Sequence, residues 1–398
     1  MGGNPLAELV TLGQSVWLDD IGRDFIRSGE LKKLIEEDGV VGLTSNPTIF
    51  FKAITKGAAY DEETRRLAES GASTSDILET LMVDDIRLAT AELLPVFERT
   101  KSLDGWVSIE VAPAFAHDTQ GTVSEAKRIR ALVDRPNVFV KVPGTVEGIG
   151  AIRELVGQGL SINVTLIFSL DRYVEVLEAY LSGLELLAAR RAAGDQLPGL
   201  PDVHSVASFF VSRVDTLVDK LLDERLRSRA GTSGPGVPGV PGKSEDQGAA
   251  SVRGKAAVAN AKLAYELFRS TFAGRRWEAL ESQGANRQRP LWASTSTKNP
   301  AYSDILYVQE LIGPHTVNTM PLSTMEAFRD HGRPVETITE GLDAARAALD
   351  AVAAEGISMT DVTSRLEVEG VLAFAESFES LYAAVDEKRA AFLEKAQG

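Results

Sequence analysis

The sequence predicts an α/β protein of the (β/α)8 TIM barrel class, with inserted loops and a long C-terminal helix. Three observations favour this fold. Short apolar segments alternate with helical patterns, which is typical of a parallel sheet. Eight such segments are present, the number that closes a barrel. The length of 398 residues fits one barrel with insertions, so residues 1–398 are predicted to form a single domain.

The predicted strands are short runs rich in Val, Ile and Leu, and helical periodicity fills several of the intervals between them. Apolar residues recur at helical spacing in the stretches 75–94, 170–190 and 252–272, which are predicted as helices. The strands are predicted at 16–20, 40–46, 106–111, 138–143, 160–168, 203–210, 290–295 and 315–320.

Two segments interrupt this alternation, and a third region ends the chain. Residues 231–250 are rich in Gly and Pro and lack periodicity, so a flexible surface insertion is predicted there. The stretch 188–201 is interpreted as a second excursion. A long helix that packs across one barrel mouth is predicted at the end, from two helical repeats: Leu342, Ala345, Leu349 and Val352, and then Val371, Phe374, Phe378, Leu381 and Val385.

Composition excludes several classes of function. The net charge of −15 argues against a nucleic-acid surface, although a few local cations suffice for a small anionic substrate. The chain has no cysteine and its four histidines are far apart, so thiolate chemistry is excluded and a metal site is not expected. No apolar run approaches about 18 residues, so no membrane span is expected. Without a recognisable signal peptide at its start, the protein is expected in the cytoplasm.

Alternation within the strands locates a candidate site. In the segment 161–166, Ser161, Asn163 and Thr165 share one face, whereas the apolar residues between them share the other. Five predicted strands follow this pattern, with the axial face becoming polar towards the C-terminal end, where barrel active sites lie. The residues gathered there are Asp19, Asn46, Glu110, Lys141, Asn163 and Thr165.

Each of these residues also has a simpler interpretation. A single polar residue at a strand end is often part of a turn or a helix cap, and this applies to Asn163 and Thr165 taken alone. Lys141 lies within the apolar run NVFVKVPG, where a buried ammonium is costly unless it is paired. A purely structural ion pair between Lys141 and Glu110 is therefore the main alternative to a reactive lysine.

A buried lysine can act as a nucleophile. A free lysine has a pKa of about 10.4, so roughly one in 2,500 is neutral at pH 7. Burial is expected to lower that pKa, and the neutral amine can then attack a ketone to form a Schiff base. The iminium withdraws electrons and allows the adjacent carbon–carbon bond to break. Asp19 and Glu110 supply carboxylates for proton transfer, and Asn46 and Asn163 suit sugar hydroxyls.

Five segments resemble the signature segments of the transaldolase family, in order and in spacing. They are TSNPTIF (44–50), VSIEV (107–111), NVFVKVPGT (137–145), INVTLIFS (162–169) and SFFVSRVD (208–215). The resemblance implies a class I aldolase on a (β/α)8 barrel, acting without a metal or organic cofactor. Such enzymes, in the non-oxidative pentose phosphate pathway, move a dihydroxyacetone unit from sedoheptulose 7-phosphate to D-glyceraldehyde 3-phosphate, which yields erythrose 4-phosphate and fructose 6-phosphate.

The resemblance also implies a role for each catalytic position. Lys141 would form the Schiff base, and Asp19 would handle the proton of the hydroxyl at the bond that breaks. Glu110 would act on the catalytic water, which Thr165 would orient.

The positions implied for substrate binding fall into two groups. Asn46 and Asn163 would bind the dihydroxyacetone portion, and Ser208 and Arg213 would hold the phosphate. Lys298 stands where many relatives carry a second phosphate-binding arginine, and a lysine lacks the bidentate fork of a guanidinium.

Other functions remain open at this stage. A barrel aldolase could release free dihydroxyacetone, a pyridoxal-phosphate barrel also uses a strand lysine, and a sugar-phosphate-binding barrel would need no chemistry at all. The expected partners are sugar phosphates, not nucleic acid or membranes. A homodimer is left open by the length of the chain and its insertion.

Overall fold

The chain forms a closed barrel of eight parallel strands in a computed structural model that describes residues 3–232 and 252–397. Each strand pairs with the next, and the last strand closes on the first from Gln14–Thr316 to Leu18–Met320. The predicted fold class is confirmed. The strands are β1 (Gln14–Leu18), β2 (Val40–Thr44), β3 (Trp106–Glu110), β4 (Val138–Pro143), β5 (Ile162–Ile167), β6 (Ser205–Phe210), β7 (Arg289–Ala293) and β8 (Thr316–Met320).

All eight strand predictions are confirmed, with ends that differ by at most two residues. Two of the differences arise where polar residues follow a strand: Asp19 and Asn46 lie just beyond β1 and β2, in the segments that lead to the next elements. Every strand except the end of β3 is buried throughout, as expected when helices cover the outer face and side chains fill the axis.

Helices connect the strands on the outside of the barrel. Those in the described part of the chain are α1 (Pro5–Glu8), α2 (Arg23–Arg27), α3 (Glu30–Glu37), α4 (Pro47–Thr55), α5 (Asp61–Glu69), α6 (Thr74–Arg99), α7 (Thr119–Val133), α8 (Val146–Val156), α9 (Leu170–Ala192), α10 (Ser212–Thr232), α11 (Ala256–Thr271), α12 (Arg275–Glu281), α13 (Leu306–Gln309), α14 (Leu322–His331), α15 (Leu342–Ala354) and α16 (Met359–Gln397). Short 3-10 helices lie at Leu9–Leu12, Pro113–Phe115 and Leu200–Asp202. None of these described helices is long and apolar enough to cross a membrane.

The three helix predictions are confirmed by α6, α9 and α11, but the predicted excursion at 188–201 is partly wrong. Its first residues continue α9 to Ala192, because Arg190 donates to the Gly157 carbonyl at 3.0 Å and pairs with Glu154 at 3.0 Å. Residues 188–190 already belong to the predicted helix, so α9 exceeds that prediction by two residues. Of the predicted insertion 231–250, the first two residues end α10 and the rest lies outside the described residues.

The predicted long C-terminal helix is confirmed as α16, which spans 39 residues and packs over the C-terminal mouth of the barrel. It contacts α4, α5 and α6 most extensively. The hydroxyls of Thr48 and Ser377 lie 2.9 Å apart, and the Lys388 ammonium donates to the Asp61 carboxylate at 2.6 Å. The earlier repeat, Leu342 to Val352, forms the separate helix α15, which packs against α11.

An aromatic stack closes the barrel axis below the polar end. The rings of Trp106 and Phe139 are stacked with centroids 4.1 Å apart, and Trp17 stacks on Phe139 at 6.0 Å. Trp17 has room only because its neighbour on β2 is Gly42. A Cβ atom at position 42 would lie 2.4 Å from the Trp17 indole. Phe139 precedes Lys141 by two residues on the axial face, so this stack forms the floor beneath the lysine.

We expect Gly42→Ala to lower the free energy of unfolding by about 1–3 kcal/mol, because the buried Trp17 ring cannot move away from the added methyl group. Urea denaturation followed by tryptophan fluorescence measures this loss. The control is Gly22→Ala, whose Cβ would meet Ala53 at an ordinary 3.5 Å. Equal stability of the two variants would contradict this account of the axis.

Candidate active site

Lys141 lies on the axial face of β4 with only 7% of its side chain exposed. Its ammonium donates to the carbonyl of Ser45 at 3.0 Å and forms an ion pair with Glu110. The two residues are paired directly across β3 and β4, so the strand register itself brings amine and carboxylate together. The ion pair considered in the sequence analysis therefore exists in this structure.

Glu110 is nearly as buried as its partner, with 10% of the side chain exposed. Burial raises the pKa of Glu110 above its ordinary value, and the Lys141 charge opposes that rise. A carboxyl group with a raised pKa can carry a proton during catalysis, which an ordinary surface glutamate at neutral pH does not do.

Asp19 supplies a second acidic group, directly after β1. Its carboxylate accepts a hydrogen bond from the Thr44 hydroxyl at 2.8 Å, and its backbone N–H donates to the Met320 carbonyl at 2.8 Å. Burial raises the pKa of Asp19, while the Thr44 hydrogen bond and the Lys141 charge oppose the rise. The site thus contains two desolvated carboxyl groups whose pKa values are both influenced by one amine.

Thr165 borders a small cavity beside the amine. The cavity measures about 30 Å³, and its walls include Glu110, Lys141 and Thr165, so it is large enough to hold a water molecule. The Thr165 hydroxyl is buried and has no hydrogen-bond partner among the described residues. The next residue, Leu166, has a φ of 62°, and the register of β5 shifts between Val164 and Ile167. Such irregularities commonly re-aim side chains next to active sites.

A larger cavity of about 300 Å³ opens above Lys141 towards the C-terminal mouth. Asn46, Ser208, Arg213 and Lys298 all line it, in agreement with the predicted substrate-binding face. Asn46 also caps α4, because its side chain accepts from the N–H of Ile49 at 3.0 Å. The helix-cap interpretation and a place in the cavity wall therefore both apply to this residue.

Asn163 lies deeper than the other predicted binding residues. Its side chain is fully buried, donates to the Ser108 hydroxyl at 3.1 Å and accepts from the Ser208 hydroxyl at 2.7 Å. It is not among the residues that line either cavity. In this structure Asn163 therefore connects β3, β5 and β6, and it orients Ser208 at the cavity wall.

Cations surround the outer part of the larger cavity. Arg213 is in the first turn of α10 and forms no hydrogen bond or ion pair with another described residue, although its guanidinium lies 5.2 Å from the Phe210 ring centroid. The Lys298 ammonium donates to the Ser296 hydroxyl at 2.6 Å. Lys52, from α4, lines the same cavity. A protein of net charge −15 thus has a local concentration of cationic side chains at this cavity.

Two tyrosine–aspartate hydrogen bonds attach the loop that carries Lys298, and the helix α13 that follows it, to the helix that carries Arg213. Tyr307 donates to Asp215 at 2.9 Å, and Tyr302 donates to Asp219 at 2.6 Å. Asp215 is fully buried and also accepts from the N–H of Ala257 at 2.8 Å. Burial raises the pKa of Asp215 to about 6.

Sequence reasoning missed several residues of the cavity wall. Lys52 lies six residues after Asn46, and no motif marks it. Phe374 belongs to the apolar repeat of the predicted C-terminal helix, and nothing in that repeat marks it as a residue that lines both cavities. In the described residues, no three His, Asp or Glu side chains are grouped to hold a metal ion.

One family match and three relatives bear on this geometry. The family described as Transaldolase/Fructose-6-phosphate aldolase matches residues 16–385. The chain is 48% identical over 390 residues to a transaldolase of Thermobifida fusca, covering 98% of this chain and 99% of that protein. It is 48% identical over 381 residues to transaldolase 1 of Streptomyces avermitilis, covering 96% and 94% of the two chains. A transaldolase of Mycobacterium tuberculosis is 47% identical over 381 residues, 95% of each chain.

We expect stability to fall as pH rises from about 4 to about 6, by up to about 3 kcal/mol relative to Asp215→Asn. The folded state prefers the protonated Asp215, so this contribution is complete below the ordinary pKa of 3.8 and is lost as pH passes about 6. Urea titrations at a series of pH values measure the difference.

A second variant tests the pKa of Asp215 by removing one of its hydrogen bonds. Tyr307→Phe removes a hydrogen bond that favours the ionised Asp215, so the transition should move to higher pH. Parallel stability curves for the wild type and Asp215→Asn between about pH 4 and 7 would contradict the assignment.

Proposed function

The chain belongs to the transaldolase/fructose-6-phosphate aldolase family, and from this premise we propose that Lys141 forms a Schiff base with a ketose phosphate. Its activity is that of a transaldolase, a transferase of the class I aldolase family. The reaction moves a dihydroxyacetone unit from sedoheptulose 7-phosphate to D-glyceraldehyde 3-phosphate, in the non-oxidative pentose phosphate pathway. The observation that carries the proposed mechanism is the buried contact between Lys141 and Glu110 beside a cavity of water size.

The first step requires the amine to lose a proton and attack the ketone. Glu110 is in contact with that amine, and its raised pKa makes it a better proton acceptor than an ordinary glutamate. The resulting carbinolamine loses its hydroxyl group as water when Glu110 returns a proton. Thr165, whose hydroxyl lies at the same small cavity, holds that water.

The second step breaks a carbon–carbon bond. Asp19 takes the proton of the substrate hydroxyl at the bond that breaks, the iminium accepts the electron pair, and the aldose phosphate leaves. The raised pKa of Asp19 favours a proton on this carboxyl group. The enamine left on Lys141 then attacks an acceptor aldehyde, Asp19 returns the proton, and hydrolysis releases the new ketose.

Binding groups hold the two ends of the substrate. Asn46, at the wall near Asp19, binds hydroxyls of the dihydroxyacetone portion. Asn163 acts on the same portion from below the wall, where it also orients Ser208. Ser208, Arg213 and Lys298 bind the phosphate at the outer end, where the cations lie.

Trapping with borohydride tests the Schiff base. Fructose 6-phosphate with borohydride should fix a three-carbon adduct on Lys141 and abolish turnover, and Lys141→Ala should lose essentially all activity. Lys141→Arg should be equally inactive, because a guanidinium cannot act as the nucleophile. Peptide mass spectrometry locates the adduct.

Lys262 provides an internal control for the trapping. Its side chain is 8% exposed, and it is paired with Glu310 on the outside of the barrel, so burial alone should not label it. An unlabelled Lys141, or substantial activity in Lys141→Arg, would end the proposal. In the absence of substrate, no absorbance near about 400 nm is expected, since that band would indicate a bound pyridoxal phosphate.

The phosphate site generates a separate prediction. Arg213→Lys should raise KM for fructose 6-phosphate by on the order of tenfold, because the bidentate contact is lost. Lys298→Arg should leave KM unchanged or lower it. The control variant is Arg276→Lys, on the outer surface, where this arginine pairs with Glu178 and Glu185. Adduct formation from unphosphorylated fructose should be equal in all these proteins, and a loss there would show that Arg213 has another role.

A further inference from the structure

Two cavities meet at Lys141, and the same three side chains line both of them. The small cavity of about 30 Å³ includes Glu110 in its wall, and the larger one of about 300 Å³ includes Asp19 and the cations. The shared residues are Lys141, Thr165 and Phe374. Two of these carry proposed chemistry, whereas the third is an aromatic ring supplied by the C-terminal helix.

The Phe374 ring lies directly beside the reactive amine. Its centroid is 5.9 Å from the Lys141 ammonium nitrogen, and the side chain is partly buried between α16 and the barrel mouth. The phenylalanine ring has no polar atom that could orient a substrate. At this position the ring can only shape the cavity and exclude water from it.

Two contacts hold α16 close to the barrel on either side of this ring. One turn before it, Gly370 is buried against β5, where an added Cβ would lie 3.0 Å from a methyl carbon of Leu166. Three residues after it, Ser377 is hydrogen-bonded with Thr48 at 2.9 Å. The position of Phe374 over Lys141 therefore follows from close packing and does not depend on a mobile segment.

We propose that Phe374 is a positioning residue that sets the balance between transfer and hydrolysis, an inference that rests on the Schiff base proposed at Lys141. After the bond breaks, the enamine on Lys141 has two fates. It can attack an acceptor aldehyde, or it can take a proton on carbon and become the iminium of dihydroxyacetone. Water then adds to the iminium carbon, the carbon–nitrogen bond breaks, and free dihydroxyacetone leaves with the amine restored.

Phe374 favours the first fate because its ring is part of the wall that the cavity of water size shares with the cavity proposed to hold the sugar. Removal of the ring joins the two spaces beside the amine and admits water to the enamine and iminium. The same chain would then release free dihydroxyacetone from fructose 6-phosphate without an acceptor, which is the activity of an aldolase.

The test compares Phe374→Ala and Phe374→Leu with Phe378→Leu. Phe378 lies one turn further along α16, is also partly buried against the core, and is not among the residues that line either cavity. For each protein, free dihydroxyacetone is measured from fructose 6-phosphate alone, and transfer is measured with erythrose 4-phosphate added. The ratio of hydrolysis to transfer should rise by about tenfold or more in Phe374→Ala and by less in Phe374→Leu. Phe378→Leu should keep the wild-type ratio.

A fall of both rates with an unchanged ratio in the Phe374 variants would overturn the inference, because loss of packing alone slows both reactions equally. Thermal melting identifies a variant that fails to fold, and Phe374→Leu then carries the test with the smaller change in volume. Borohydride trapping on Lys141 in the same proteins separates the two proposals. No adduct in the wild type defeats the Schiff base, whereas normal adducts with an unchanged ratio defeat only the role of Phe374.

Discussion

The site depends on one costly contact, an amine and a carboxylate buried together at the end of the barrel axis. The parallel register sets Glu110 opposite Lys141, and the carbonyl of Ser45 provides the amine with a further acceptor. Below them the stack of Trp106 on Phe139 closes the axis. Two charges removed from water in this way are stable only when each has a partner. The direct contact between the amine and the carboxyl group also allows a proton to pass from one to the other.

Around this pair the acidic groups lie near the amine, and the cationic groups lie further towards the outside of the cavity. The carboxyl groups of Glu110 and Asp19 lie near the amine, and burial raises the pKa of both. Arg213 and Lys298 lie at the outer wall of the larger cavity, and tyrosine–aspartate hydrogen bonds hold the elements that carry them together. A sugar phosphate matches this arrangement, with its carbonyl end at the amine and its phosphate at the cations.

The C-terminal helix α16 is far from the strands in sequence, but it contributes a side chain to the site. It is held over the mouth by Gly370 and Ser377, and it brings Phe374 to the amine. The barrel supplies the groups proposed to react, and the helix supplies an apolar ring beside them. The proposed chemistry and the proposed selectivity thus belong to separate parts of the chain.

The order of apolar strands and helices in the sequence determined the barrel. The alternation of side chains within the strands determined the axial positions of Glu110, Lys141 and Thr165, because side-chain direction in a strand has a period of two whatever surrounds it. How deeply a residue lies and which distant residues it contacts do not follow from that period. Only the tertiary structure decided that Asn163 lies beneath the wall, that α9 extends two residues beyond its predicted end, and that Phe374 faces the cavity. A repeat of apolar residues predicts which face of a helix is buried. The residues that this face contacts belong to elements hundreds of residues away, so the repeat does not predict them.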